Sequence, residues 1–225
     1  MRRPFVLAAS ISLLLGASAC TERTKESAAP DQSACEELLG HAGLKWLESR
    51  TGGPGKAHTK STDGLDKARS LFYTTAEKWD TDGTTAISFP SADVCEARVD
   101  TANLERQLSF RYGPSTLFDF PFRKASSTGE RTTVPVNSDV VMTYNRPNHE
   151  GAVSYRIFVT CKIPGTSAGQ ENEIPLTGEL TDTLTGETST RVHLTRLLHS
   201  ARVMAKTFGC QNNPVVPAEP PASVT

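Results

Sequence analysis

Residues 153–163 constrain the fold most. Val153, Tyr155, Ile157, Val159, Cys161 and Ile163 alternate with Ser154, Arg156, Phe158, Thr160 and Lys162. Strict period two over this length predicts a long, central strand with one buried face; a helix would repeat its apolar residues every three or four positions. A strand needs partners. Residues 140–144 precede it across the turn-rich stretch 145–151, and residues 174–183 follow another turn-rich segment, so an antiparallel meander is expected. Upstream, residues 84–89, 94–99 and 108–112 also read as strands: Cys95, Ala97 and Val99 alternate with Glu96 and Arg98, and Leu108, Phe110 and Tyr112 with Ser109 and Arg111. Residues 123–133 read as a polar loop.

Helical spacing brackets these strands. Ser33-Ala34-Cys35-Glu36 has the form of a capping box, and Cys35, Leu38, Leu39, Ala42 and Trp46 fall on one stripe, predicting a helix over 34–49. Gly40 and Gly43 weaken it, by about 1 kcal/mol each relative to Ala. Asp63 is placed to cap a second helix carrying Leu65, Ala68, Phe72, Ala76 and Trp79. The clearest helix carries Leu194, Leu197, Leu198, Ala201, Ala205 and Phe208, with Gly209 where a left-handed C-cap belongs. The expected fold is α+β: an antiparallel sheet of about five to six strands, covered on one face by N- and C-terminal helices and held by two disulfides.

The first twenty residues bear on location. Arg2 and Arg3 precede an apolar run of eleven residues, 5–15, too short to span a bilayer, which needs roughly 20. It reads as a signal peptide over 1–19. Ala17-Ser18-Ala19 suits ordinary signal peptidase, and the same residues before Cys20 resemble a lipobox, although Ala17 stands where Leu is usual. A lipidated Cys20 on a flexible polar tether, 20–33, is the favoured expectation, with free secretion the alternative. A single domain over 34–210 and a disordered Pro-rich tail over 211–225 complete the division.

Setting Cys20 aside leaves Cys35, Cys95, Cys161 and Cys210, widely spaced and without a C-x-x-C motif. In an exported chain two disulfides are expected, and four cysteines allow three pairings. Cys35–Cys95 and Cys161–Cys210 are favoured, because each joins a helix end to a neighbouring strand in chain order.

Composition limits function. The formal charge of −1 becomes −3 without Arg2 and Arg3, and the scattered Lys and Arg argue against nucleic acid. His41, His58, His149, His193 and His199 lie in no H-E-x-x-H motif, and the spacing of His193 and His199 keeps them off one ligand face. They read as surface or rim residues. His149 beside Glu150 is the pair that a hydrolytic site would draw on. Asp80-Thr81-Asp82-Gly83 fails as a calcium loop, since Lys78 and Phe89 fall where acidic ligands are required. No G-x-S-x-G, S-x-x-K or P-loop motif is present, so no catalytic residue, metal or cofactor is expected.

The leader ending in Ala-Cys, the cysteine-led helix Cys35-Glu36-Glu37-Leu38-Leu39, the strand cysteine in Phe158-Val159-Thr160-Cys161 and the closing Leu197-Leu198-His199-Ser200-Ala201-Arg202 to Phe208-Gly209-Cys210 resemble an uncharacterised actinobacterial (Streptomyces-type) four-cysteine lipoprotein family. The resemblance implies a surface-tethered protein and brings no catalytic residue with it. The expected function is a binding module at the outer membrane face, attached through its lipid, with a protein or cell-wall partner. An exposed Phe158 on the free face of the sheet is its first expected contact. A cell-wall hydrolase and a solute-binding lipoprotein are the alternatives, and the second needs more chain than this sequence offers.

Overall fold

The computed structural model describes residues 30–79, 89–99, 106–115, 127–128, 131–145 and 153–224. Among these, eight strands form one antiparallel sheet in the order β1-β2-β3-β8-β7-β6-β5-β4. They are β1 (Ala57–Lys60), β2 (Ala92–Val99), β3 (Gln107–Pro114), β4 (Ser127–Thr128), β5 (Arg131–Pro135), β6 (Val140–Asn145), β7 (Val153–Val159) and β8 (Leu176–Asp182). Helices α1 (Pro30–Thr51), α2 (Gly64–Glu77) and α4 (Thr190–Phe208) cover one face, and α3 (Gln170–Glu173) is a single turn before β8. The α+β architecture, the covered face and both disulfides match the sequence expectation, with more strands than the five to six counted there. β1, β4 and β5 are short and polar, and their ladders depend on neighbours rather than on a pattern of their own. The expected strand over 84–89 falls almost wholly outside the described residues.

Two pieces make the sheet. The hairpin β2–β3, edged by β1, joins the meander β5-β6-β7-β8 where β3 pairs with β8 over Leu108↔Asp182 to Pro114↔Leu176. Register sorts the side chains. Cys95, Phe110, Leu180, Tyr155 and Tyr144 form one cross-strand row under the helices, and Ala92, Tyr112, Gly178, Ile157 and Met142 form the next. The second row explains a glycine inside a strand. A Cβ on Gly178 would lie 2.4 Å from the Tyr112 ring, which crosses over it to hydrogen-bond Ser200 of α4 at 2.6 Å.

β7 is central, but it ends at Val159 rather than Ile163. The alternation continues because Cys161 and Ile163 are still buried, although outside the ladder. There the Gln170 amide serves as a surrogate strand: it accepts from the Ile163 amide at 3.1 Å and donates to the Cys161 carbonyl at 3.1 Å.

Helix boundaries depart from expectation at both N-termini. α1 starts at Pro30, so Ser33 is not its cap; proline suits the first turn, where its missing N–H is not needed. Gly40 breaks the helix with φ of 60°, and a Cβ there would meet the His199 ring at 2.6 Å. The glycine is where α1 and α4 touch. Asp63 occupies the N-cap of α2, but its carboxylate accepts from the Asp93 amide of β2 at 2.8 Å, while the Ser61 hydroxyl accepts from Gly64. α4 follows its sequence signals: Ser189 accepts from the Val192 amide and Gly209 closes the helix at φ 66°, ψ 46°.

The C-terminal segment overturns an expectation. Residues 211–224 are not a disordered tail; they lie against α4 and the β5–β6 turn. Val216 and Val224 are buried, Arg202 donates to the carbonyls of Val216 and Pro217, Arg191 donates to those of Pro221 and Val224, and the Val215 amide donates to Asp139. Prolines have little backbone freedom to lose, so a few arginine contacts suffice to order such a segment.

Candidate functional site

The face opposite α1, α2 and α4 carries a different set of residues. Asp93, Arg111, Glu179 and Arg156 form one cross-strand row on β2, β3, β8 and β7, alternating in sign. Asp93 meets Arg111 Nε at 2.9 Å and Glu179 meets Arg156 Nε at 3.6 Å, while Ser154 donates to Glu179 at 2.6 Å. The next row holds Gly113, Thr177, Phe158 and Val141. Gly113 has no side chain, and the chain passing at Pro90 and Ser91 closes over it; a Cβ would meet the Pro90 carbonyl at 2.9 Å. Between that passing segment and the charged row lies a cleft of about 160 Å³. Its lining includes Arg111, Arg156, Glu179, Thr177, Phe158 and Phe89.

One group in this cleft is unusual. The Thr177 hydroxyl is buried and has no hydrogen-bond partner among the described residues. An unsatisfied buried hydroxyl costs about 1–3 kcal/mol, so its place in the wall of a cleft calls for an explanation. Arg111 is half exposed, and its two terminal amino groups have no hydrogen-bond partner among the described residues. Two other hollows, of about 290 Å³ beside Arg202 and about 230 Å³ beside Arg106, are larger. Their arginines already hold backbone carbonyls: Arg202 those of Val216 and Pro217, Arg106 those of Thr183 and Leu184.

Phe158 does not form an exposed contact. Only 1% of it is accessible, and in its row it stands between Val141 and Thr177. It lines the cleft and forms no patch. The sheet face therefore offers a recess rather than the exposed apolar surface expected of a docking face.

A second cluster gathers under the helices. His193 is not a surface or rim residue; like its partner Asp182 it is 2% exposed in its side chain. His193 Nε2 lies 2.9 Å from Asp182 Oδ2, and Nδ1 lies 3.0 Å from the Ser189 carbonyl. Burial acts to raise the Asp182 carboxyl, yet hydrogen bonds from His193, the Thr185 hydroxyl and the Thr185 amide together hold it below the usual carboxylate range. Tyr155 stacks on His193 at 4.5 Å, and burial pushes its phenol up to about 12. Trp46 packs edge-on to the same imidazole and donates to Glu187. The pair has the form of a base and its orienting carboxylate. Both ring nitrogens are engaged and neither side chain is accessible, so it carries no reaction and ties α4 to β8.

The remaining sequence candidates are easily placed. His149, Glu150, the turn at 80–83 and Cys20 lie outside the described residues. His199 packs on Gly40. Cys35 bonds Cys95 and Cys161 bonds Cys210, pinning α1 to β2 and the end of α4 to the segment after β7. Among the described residues no group of three His, Cys, Asp or Glu could hold a metal, and no helix is long and apolar enough to cross a membrane. Two disulfides fit an extracellular or otherwise oxidising environment.

Sequence reasoning set Arg111 and Arg156 on the polar sides of their strands but could not join them. The join is made by β8, through a register in which Glu179 faces both. Thr177 gave no sequence signal at all. No protein-family model, curated protein or solved structure matches this chain.

Proposed function

We propose that the chain is an exported, lipid-anchored surface protein that works as a binding module, taking its ligand in the cleft beside Thr177. The leader 1–19 and the lipobox-like Ala17-Ser18-Ala19-Cys20 support export and attachment through a lipidated Cys20. The two disulfides agree with that address, as does the resemblance to four-cysteine actinobacterial lipoproteins. The observation that carries the binding role is the cleft itself, lined by Thr177 and by Arg111, whose terminal amino groups have no hydrogen-bond partner among the described residues. The partner is a component of the cell surface, protein or wall polymer.

Immobilised mature protein should retain a component of the cell-envelope fraction, and Ser91→Trp, which sets an indole in the cleft wall, should abolish retention. Equal retention by the two proteins contradicts the reading. Peptide masses of the membrane fraction, taken without reduction, should show a diacylglyceryl group on Cys20. An unmodified N-terminus at Cys20 in the medium contradicts the anchor.

A further inference from the structure

We propose that His193 is held as a doubly protonated imidazolium, a latch that fastens the start of α4 to β8 and loosens as the pH rises. The partners of the ring decide this. Nδ1 lies 3.0 Å from the Ser189 carbonyl and Nε2 lies 2.9 Å from Asp182 Oδ2. A carbonyl only accepts, so Nδ1 must carry a proton to bond it. Asp182 is an acceptor too. The amides of Leu184 and Thr185 donate to its Oδ1 and the Thr185 hydroxyl donates to its Oδ2, a set of donors that suits a carboxylate. Nε2 must therefore donate as well. A neutral imidazole has one N–H, and these two contacts need two.

The groups packed around the ring fit a cation. Tyr155 of β7 lies flat against it at 4.5 Å and offers the face of its π-system; its phenol, pushed up to about 12 by burial, stays neutral where histidines titrate. Trp46 of α1 stands edge-on at 6.0 Å. Glu187, in the loop before α4, accepts from the amides of Thr188 and Ser189 and from Trp46, and pairs with Arg50 of α1. The Arg50 charge is thus engaged by Glu187, and Asp182 is left to His193. Farther out, Arg196 of α4 lies 5.6 Å from the Trp46 ring and Tyr144 of β6 lies 6.3 Å from the Tyr155 ring. If the second proton is lost, a buried lone pair must face either the Ser189 carbonyl or the Asp182 carboxylate, and neither can donate to it. Folding therefore favours the protonated ring. Its contribution is complete below the ordinary histidine value of about 6.5; above it the folding equilibrium falls by up to about tenfold per unit of pH, until the folded protein also gives up the proton.

The test is nitrogen NMR of the imidazole rings in the mature, disulfide-bonded protein at pH 7, with the His193 ring assigned through its contact with Tyr155. Both ring nitrogens of His193 should show directly bonded protons. In Asp182→Asn the ring should be neutral, with its single proton on Nδ1. Urea denaturation gives the second readout: the folding equilibrium of wild type should fall about tenfold or more between pH 6 and pH 9, and that of His193→Gln several-fold less. One unprotonated nitrogen in wild type at pH 7, a doubly protonated ring in Asp182→Asn, or a pH dependence in His193→Gln equal to that of wild type would overturn the inference. The wild-type spectrum decides even if a variant fails to fold.

Discussion

The same four strands build both faces of the sheet by opposite rules. Under the helices, Cys95, Phe110, Leu180 and Tyr155 form a row that is almost wholly excluded from water. On the other face, one residue along on β3, β8 and β7 and two along on β2 across a bulge, Asp93, Arg111, Glu179 and Arg156 form a row of partly exposed, alternating charges. The first row holds the fold together, since each large side chain removed from water contributes about 1.5–3 kcal/mol. The second contributes little to stability, because exposed ion pairs are worth about 0–1 kcal/mol. Its alternating signs instead avoid like-charge neighbours and leave one guanidinium edge available. Stability is thus concentrated on one face, the other being the face on which we propose recognition, and substitutions that respect or violate the division should separate by size.

The largest loss is expected at Asp182. Asp182→Ala leaves His193 buried without its carboxylate and should destabilise the protein by about 3–5 kcal/mol in urea denaturation. The wild-type pH dependence follows from the lowered carboxyl of Asp182. Its folded value lies below the ordinary 3.8, so the charged form is favoured by folding; the contribution is complete above that ordinary value and fades as the pH falls through the lower folded one. Denaturation midpoints between pH 5 and pH 2 should therefore fall less steeply in Asp182→Asn than in wild type.

Next come the disulfides. Replacing Cys161 and Cys210 together by Ser frees a separation of 49 residues, and replacing Cys35 and Cys95 frees one of 60. Each change should cost about 4 kcal/mol in the chain-entropy account, read from urea midpoints.

Gly178→Ala should cost about 1–3 kcal/mol, because the methyl group strikes the Tyr112 ring and pushes it from Ser200. The smallest effect belongs to the charged face: Arg156→Gln should change stability by less than about 1 kcal/mol. A loss as large as that of Gly178→Ala would mean that the charged row helps to hold the fold, and the comparison between the faces would fail.

The fold was legible where one period ruled. The alternation in residues 153–163 led to β7 at the middle of the sheet, and the stripe from Leu194 to Phe208 led to α4 with its Gly209 cap. It was illegible where tertiary contacts replaced a local signal. β1 and β5 are polar four- and five-residue strands recruited by β2 and β6. The C-terminal prolines looked like a tail because nothing local shows that Arg191 and Arg202 will meet their carbonyls. His193 looked like a rim residue for the same reason: its partner Asp182 lies on a neighbouring element, and only the fold buries the two together. The candidate site was the least legible part. Its charged residues stand at polar positions of strands that are far apart in sequence, and its orphaned hydroxyl is defined by what it fails to touch.

The division between the faces is tested most directly by measuring the urea midpoint and the envelope retention of Ser91→Trp on the same preparation. An unchanged midpoint with retention abolished is the predicted result: the cleft serves a partner and not the fold. Retention undiminished at an unchanged midpoint would contradict the account, and so would a midpoint that falls together with retention.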